Sequence, residues 1–139
     1  MQKLRIGLVG AGLVGQAEHA YYLGDDSSRF EFVGLADASA TVRSAVAKRY
    51  GIRSVHTNID ELLATGIEAV VIAAPDAFHP ALAVKALDAG LHVLCEKPLA
   101  LTVAGCDAIA AARDRSGRIV QVAYMKRYDP AYRQALTYL

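Results

Sequence analysis

Cysteine is scarce in this sequence, and neither sign of charge is in excess. Its 139 residues include two cysteines, Cys95 and Cys106, which are too few for a disulfide scaffold and lack zinc-ligand spacing. We therefore expect both to be reduced, buried thiols of a cytosolic protein. Lys and Arg total 15 and Asp and Glu total 14, so no positive excess points to a nucleic-acid partner.

Long hydrophobic runs are also missing. The apolar run 69–74 has six residues, whereas a membrane-spanning helix needs about 20. The segment 6–14, after Lys3 and Arg5, resembles a signal peptide, but glycines crowd it and no clear cleavage site follows. We therefore predict a cytoplasmic protein with no membrane partner.

Signatures of metal or nucleophilic catalysis are absent as well. The four histidines show no metal-ligand spacing such as H-E-x-x-H, and no G-x-S-x-G motif occurs. We predict no metal, and we interpret His19, His56 and His92 as surface or packing residues. The composition, 54% hydrophobic and 21% charged, is nevertheless that of a folded domain.

The pattern that is present alternates short β-like runs with helical ones. Strands are predicted at residues 3–9, 30–37, 54–56, 68–74, 91–95 and 118–124. Helices are predicted at residues 13–23, 39–50, 57–65, 80–89, 102–115 and 129–139, with Thr57 as the N-cap of the third. Such alternation implies βαβ crossovers, so we predict a doubly wound Rossmann fold of about six parallel strands with flanking helices.

A glycine-rich loop lies between the first predicted strand and the first predicted helix. Its G-x-G-x-x-G pattern is Gly10-Ala11-Gly12-Leu13-Val14-Gly15. The first glycine permits a tight turn, the second lets a pyrophosphate approach the backbone, and the third lets the helix approach the strand. Phosphates then meet the positive end of the helix. The alternative is a glycine-rich turn in a fold that binds nothing.

An acidic residue, Asp37, follows at the end of the second predicted strand. A carboxylate there accepts hydrogen bonds from the ribose hydroxyls and repels a 2′-phosphate, which favours NAD over NADP. Arg43 lies about one helical turn further on and would soften that repulsion. Alternatively, Asp37 caps the following helix, a role that Ser39 would fill equally well.

Two further motifs, read together with the glycine loop, give a family resemblance. After the fourth strand comes Ala74-Pro75-Asp76-Ala77-Phe78-His79-Pro80, and after the fifth comes Cys95-Glu96-Lys97-Pro98-Leu99-Ala100. With the stretch YMKRYDPAY at 124–132, the whole chain resembles the glucose–fructose oxidoreductase / inositol dehydrogenase / rhizopine-catabolism family, and its inositol-dehydrogenase-like members in particular. The E-K-P segment is far more specific than the glycine loop.

The resemblance implies roles for the residues of the second half. Lys97 would lie beside the nicotinamide and the substrate hydroxyl and relay the proton as the hydride leaves; the alternative is a solvated lysine at a strand end. Glu96 would orient backbone or ribose, or be an ordinary surface acid. Arg127 would face the substrate, or form a surface salt bridge.

The segment after the fourth strand is implied to contribute to the cofactor site through Ala74, Pro75 and Asp76. Asp76 departs mildly from the family's pattern, in which Asn or a similar residue is common. His79 would either touch the nicotinamide end or cap the helix from Pro80. Related proteins often hold the proline equivalent to Pro98 in the cis form.

Family members carry a second α/β domain that supplies much of the substrate pocket and the usual dimer surface. Residues 1–123 would form the dinucleotide-binding domain, and residues 124–139 the linking stretch and the start of a substrate domain that is absent here. The resemblance implies an NAD-dependent dehydrogenase acting on a sugar, a polyol or a similar secondary alcohol, homo-oligomeric through the missing domain. The alternative is a non-catalytic dinucleotide-binding redox sensor or regulatory module.

Overall fold

One parallel sheet organises the chain. The computed structural model describes residues 2–138, which contain a sheet of six strands in the order β3-β2-β1-β4-β5-β6, with every neighbouring pair parallel. The strands are β1 Leu4–Val9, β2 Phe30–Ala36, β3 Ser54–His56, β4 Ala69–Ile72, β5 His92–Cys95 and β6 Val120–Val122. This is the strand order of the doubly wound fold, with its topological switch point between β1 and β4.

Helical segments connect the strands. The α-helices are α1 Tyr21–Asp25, α2 Ala40–Tyr50, α3 Ile59–Leu63, α4 His79–Asp88, α5 Val103–Ser116 and α6 Pro130–Ala135. A π-helical segment, Gly15–Ala20, leads directly into α1, and short 3₁₀ turns occupy Asp76–Phe78, Met125–Arg127 and Leu136–Tyr138. Within residues 2–138, no helix combines the length and apolarity that crossing a membrane requires.

All six predicted strands are present, although several are shorter than the sequence pattern suggested. The first predicted helix differs more, because part of it winds as the π-helical segment. The predicted N-cap Thr57 is wrong: the adjacent Asn58 caps α3 by accepting a hydrogen bond from the backbone N–H of Glu61. The predicted helix 129–139 divides into α6 and a 3₁₀ turn, and its last residue, Leu139, lies outside the described residues.

The hydrophobic core has two layers, one on each face of the sheet. Alternate residues of β4 separate into the two layers. Val70 and Ile72 pack with α4 and α5, whereas Val71 packs towards α1 and α2. Leu62 of α3 is fully buried in the first layer. A Cβ added at Gly7 or Gly34 would lie 2.9 Å from a methyl carbon of Leu62, so glycine on β1 and β2 makes room for this side chain.

We expect Leu62→Ala to lower the free energy of unfolding by about 2–5 kcal/mol, because the two glycines beneath it cannot fill the cavity. Leu101→Ala is the matched control, since Leu101 is 64% exposed and its truncation is expected to change stability by less than about 0.5 kcal/mol. Urea unfolding followed by circular dichroism measures both. Similar losses in the two variants would contradict this packing arrangement.

Candidate functional site

The sequence-predicted cofactor residues meet at one edge of the sheet. Parallel strands end at the same edge, and there the loops after β1, β2, β4 and β5 lie side by side. Backbone hydrogen bonds continue past the strands: Gly10 N–H donates to Ala36 O at 2.9 Å, and Ala73 N–H donates to Val9 O at 2.8 Å. The first residue of the glycine loop is therefore fixed to the end of β2, and the loop after β4 is fixed to the end of β1.

The structure gives two glycines of this loop the roles predicted for them. Gly10 has a φ of +89°, and a Cβ there would lie 2.6 Å from the backbone of Ala73 and Ala74. A Cβ on Gly15 would overlap the carbonyl oxygen of Gly10. Glycine at positions 10 and 15 is therefore required by the fold itself, whatever the loop binds.

Gly12 differs, because a Cβ at this position would meet no protein atom within 4 Å. The neighbouring Leu13 is 83% exposed and Val14 is 39% exposed, so this side of the loop faces open space. A bare backbone facing open space at the start of a helical segment fits the pyrophosphate of a dinucleotide. The fold gives no other reason for glycine at position 12.

Asp37 bridges the glycine loop and the loop after β2. Its Oδ2 accepts a hydrogen bond from Ala11 N–H at 2.7 Å, and its Oδ1 accepts one from Ser39 N–H at 2.8 Å. Ser39, not Asp37, is the N-cap of α2. The guanidinium of Arg43 donates to the main-chain carbonyl oxygen of Asp37, so it is turned to the backbone of this loop. The capping alternative for Asp37 is therefore excluded, and its carboxylate is held beside the glycine loop.

The turn after β5 carries Glu96, Lys97 and Pro98, with a cis peptide bond between Lys97 and Pro98. Lys97 is exposed. Glu96 is 12% exposed, and its Oε1 lies 2.8 Å from Nε2 of His19 in the π-helical segment. The other carboxylate oxygen, Oε2, accepts a hydrogen bond from Lys97 N–H at 3.1 Å. Glu96 thus orients the backbone of the lysine turn, which is one of the two roles implied for it.

His79 occupies neither of the positions expected from the sequence. Its side chain is fully buried, which leaves no surface for a direct contact with a cofactor. Its two ring nitrogens lie 2.8 Å from the carbonyl oxygens of Ala74 and Pro98, so the ring does not accept a hydrogen bond from an N–H group as a helix cap would. The prediction of His79 as a cofactor contact is corrected: the residue joins the loop after β4 to the lysine turn.

The remaining predicted residues lie on exposed turns. Ala74 is half-buried, whereas Pro75 and Asp76 are exposed at the start of the 3₁₀ turn that precedes α4. Arg127 is exposed on the 3₁₀ turn Met125–Arg127, beyond β6. Within residues 2–138, no group of three or more His, Cys, Asp or Glu side chains is placed to hold a metal ion.

Cys95 ends β5 directly before this turn and is fully buried. Burial raises the pKa of its thiol to about 12, and the negative charges of Glu96 and Asp76 add to the rise. Cys106 on α5 is only half-buried, so the expectation of two buried thiols holds for Cys95 alone. Cys95 is therefore an inert packing residue despite its place beside the lysine turn.

Sequence reasoning missed His19 and Gln16 as parts of the site. His19 was interpreted as incidental, yet it binds Glu96 across 77 positions of sequence. Gln16 donates from its side chain to the carbonyl oxygen of Ala11 at 2.7 Å and so supports the glycine loop. No local signal for the contact of His19 with Glu96 was available, because the two residues lie 77 positions apart in the sequence.

A parallel sheet with a glycine loop at its switch point and an acidic residue after the second strand defines a dinucleotide-binding domain of the Rossmann class. The chain belongs to the oxidoreductase family with an NAD-binding Rossmann fold, the glucose–fructose oxidoreductase / inositol dehydrogenase / rhizopine-catabolism family, whose family model matches residues 4–124. The predicted family, fold class and cofactor class are therefore confirmed.

Several known relatives are inositol dehydrogenases. The chain is 42% identical over 132 residues to inositol 2-dehydrogenase 1 of Saccharopolyspora erythraea, a match that covers 93% of this chain and 39% of the relative. The crystal structure of myo-inositol 2-dehydrogenase from Lactobacillus plantarum is 32% identical with a TM-score of 0.89, covering 96% of this chain and 40% of that one. The scyllo-inositol dehydrogenase of Lactobacillus casei, solved with NAD(H) and scyllo-inositol, has the same TM-score and coverage at 26% identity. The chain thus spans about 40% of the length of these relatives.

We expect alkylation of the native protein at about pH 8 to modify Cys106 and to leave Cys95 unmodified, because only the thiolate reacts. With a pKa of about 12, Cys95 is about one part in 10⁴ thiolate at that pH, and it is also shielded from the reagent. Peptide mass spectrometry after iodoacetamide treatment measures both sites, with the denatured protein as the control in which both react. Equal modification of the two native thiols would show that the end of β5 is open.

Proposed function

We propose that the protein is an NAD-dependent dehydrogenase that moves a hydride between the nicotinamide and a hydroxyl group of a polyol, inositol or a related cyclic polyol, and that this chain forms the cofactor-binding part. The observation that carries the proposal is the meeting of the glycine loop, Asp37 and the Lys97 turn at one edge of the sheet. The names of the relatives support the polyol substrate class.

The residues at this edge fit a dinucleotide. The open backbone at Gly12 would receive the pyrophosphate, Asp37 the adenosine ribose, and the segment Ala74–Asp76 the nicotinamide half. When bound, the cofactor supplies the hydride acceptor for alcohol oxidation. The protein's own part is to hold the dinucleotide along the edge of the sheet so that its nicotinamide end reaches the turn that carries Lys97.

Asp37 carries the preference for NAD over NADP. Two backbone N–H groups fix its carboxylate beside the glycine loop, and a second negative charge placed there is repelled. Arg43 softens that repulsion only in part, because its Nη1 is turned to the main-chain carbonyl oxygens of residues 37 and 38. The loop therefore favours ribose hydroxyl groups over a 2′-phosphate.

Lys97 is the proton relay in this proposal. Oxidation of an alcohol requires removal of its proton as the hydride leaves, and Lys97, which is exposed, would take that proton at the nicotinamide end. Glu96 fixes the lysine's own backbone N–H, so the side chain extends from a fixed point. Arg127, on the exposed turn that follows β6, would face the substrate.

The limits of the domain follow the same proposal. Residues 1–123 form the dinucleotide-binding domain, and residues 124–139 form the stretch that leads to a substrate domain of the kind the longer relatives contain. In that stretch, Asp129 accepts a hydrogen bond from Ala131 N–H at the start of α6 and pairs with Lys126 at 2.9 Å. A homo-oligomer and a cytoplasmic location stay predictions.

Calorimetric titration of the chain with NADH and NADPH tests the cofactor proposal. We expect NADH to bind about tenfold or more tightly than NADPH, because Asp37 repels the 2′-phosphate of NADPH. Gly12→Ala is expected to weaken NADH binding about tenfold or more, the effect of losing one or two charge-assisted hydrogen bonds to phosphate.

Gly12→Ala also separates binding from folding, because a methyl group there meets no protein atom and the melting temperature is expected to stay the same. Asp37→Asn is expected to reduce the difference in affinity between NADH and NADPH. Asp107→Asn, which changes an exposed acid on α5, is the control and is expected to leave that difference unaltered. Equal affinities of the unmodified chain for NADH and NADPH would refute the role of Asp37.

The role of Lys97 is tested in the complete gene product by measuring inositol-dependent reduction of NAD. Lys97→Ala is expected to lower kcat by about 10²-fold or more while the affinity for NADH changes by no more than a few-fold, because the lost group moves a proton and does not anchor the cofactor. Lys48→Ala, on the exposed side of α2, is the matched control. Unchanged turnover in Lys97→Ala would remove the residue from the mechanism.

A further inference from the structure

His19 and Glu96 connect two segments of the site that are far apart in the sequence. His19 lies on the π-helical segment, which begins at Gly15, the last glycine of the glycine loop. Glu96 lies on the turn that also carries Lys97. Nε2 of His19 is 2.8 Å from Oε1 of Glu96, and the two side chains are 13% and 12% exposed. A hydrogen bond shielded from water in this way is stronger than one on the surface.

This hydrogen bond does not depend on the charge of His19. A carboxylate oxygen accepts hydrogen bonds, so Nε2 of the ring has to carry the proton. One tautomer of the neutral imidazole has a proton at Nε2, and the imidazolium cation has one there as well. In both forms His19 donates from Nε2 to Glu96.

Glu96 holds the lysine turn from within the turn itself. Its Oε2 accepts a hydrogen bond from Lys97 N–H at 3.1 Å, and its own N–H donates to Ile72 O at 2.9 Å. Because Glu96 and Lys97 are adjacent, the first of these bonds fixes the lysine only relative to the glutamate side chain. That side chain needs an anchor outside the turn. Among the residues that the structure describes, His19 is the one hydrogen-bond partner that the carboxylate has there.

The π-helical winding accounts for the place of His19. Successive residues of an α-helix turn by about 100°, so two residues five apart point about 140° away from each other. In a π-helix the hydrogen bonds join residues five apart, and such a pair lies near one side of the helix. Gly15 and Ala20 are five apart and both are buried. His19 precedes Ala20 and lies at the border of this buried side, where it meets the turn after β5.

We propose that His19 is a positioning residue for Lys97 that acts through Glu96. The connection runs from Nε2 of His19 to Oε1 of Glu96, and from Oε2 of Glu96 to the N–H group of Lys97. It ties the helical segment that follows the glycine loop, where the pyrophosphate is proposed to bind, to the turn that carries the proposed proton relay. The effect on turnover rests on the proposed dehydrogenase function, whereas the hold on the lysine turn does not.

Hydrogen exchange followed by NMR tests the hold on the lysine turn in this chain, without any substrate. We expect the amide proton of Lys97 to exchange about tenfold or more faster in His19→Leu, because Glu96 is then released to solvent and the amide loses its acceptor. His19→Gln places a side-chain N–H group near the position of Nε2 and is expected to keep the rate within a few-fold. His92→Leu is the matched control, since His92 accepts a hydrogen bond from Ile119 N–H away from the lysine turn.

Equal exchange of the Lys97 amide in His19→Leu and in the unmodified chain would overturn the proposal. If His19→Leu does not fold, His19→Asn takes its place, because the shorter side chain keeps the polarity of the position but does not reach Glu96. The melting temperature of each variant, measured by circular dichroism, decides which of the two is used.

The effect on turnover is tested in the complete gene product by inositol-dependent reduction of NAD. We expect His19→Leu to lower kcat about tenfold or more and to leave the KM for NAD within a few-fold, because a displaced lysine loses its geometry for proton transfer. His19→Gln is expected to recover most of the lost kcat, and His92→Leu to leave kcat unchanged. A rise in KM without a fall in kcat would assign His19 to cofactor binding and overturn the proposal.

A double-mutant cycle tests whether His19 acts through Glu96. Glu96→Ala removes the carboxylate, so the addition of His19→Leu is expected to lower kcat no further. Losses that multiply would overturn the proposal, since His19 would then act by another route. If the unmodified enzyme reduces no NAD with inositol, the proposed function fails, and the exchange rate of the Lys97 amide still decides whether His19 holds the lysine turn.

Discussion

Parallel pairing of β1 with both β2 and β4 is the constraint on which the site depends. It brings the ends of these strands to one edge of the sheet, and the hydrogen-bond ladder continues past β1 into the loops through Gly10 and Ala73. A slip of one residue between β1 and β4 would reverse the faces of β4 and move its loop by about 3.3 Å along the strand. The two-layered core opposes that slip, because Val70 and Val71 belong to opposite layers.

The parts of the molecule that local sequence determines were predictable. Strand positions follow from short apolar runs bounded by polar or glycine residues, and the structure has all six. The tight turn at Gly10 and the close approach at Gly15 were predictable, because a positive φ and a close helix–strand approach exclude a side chain at those positions. Gly51 and Gly117 end α2 and α5 in the left-handed conformation for the same reason.

Other features escaped prediction because they depend on the tertiary arrangement or on small local differences. The contact of His19 with Glu96 joins residues 77 apart, and nothing in either residue's neighbourhood indicates the partner. The π-helical winding of Gly15–Ala20 is a change of hydrogen-bond register that hydrophobic periodicity does not encode. Thr57 and Asn58 are adjacent residues of similar capping preference, so the sequence pattern could not choose between them.

The hydrogen bonds around the site also distinguish residues that are free to bind a ligand from residues that hold the site together. A carboxylate has about four lone-pair positions. Asp37 uses two of them on backbone N–H groups beside the open face of the glycine loop, which leaves capacity for two ribose hydroxyl groups. Glu96 and His79 resemble Asp37 in polarity, but their functional atoms point into the protein.

Glu96 is 12% exposed with each oxygen engaged by the protein, and His79 is fully buried with both nitrogens engaged. Both act on the turn of Lys97. His79, at the start of α4, contacts the carbonyl oxygen of Pro98. Glu96, which is bound to His19 of the π-helical segment, accepts a hydrogen bond from Lys97 N–H. Because these hydrogen bonds form on folding, the conformational entropy of the turn is lost before any ligand binds, and less remains to be lost on binding. The backbone of the lysine turn is therefore held by the hydrogen bonds of Glu96 and His79, and the exposed side chain of Lys97 is the part that stays free to move.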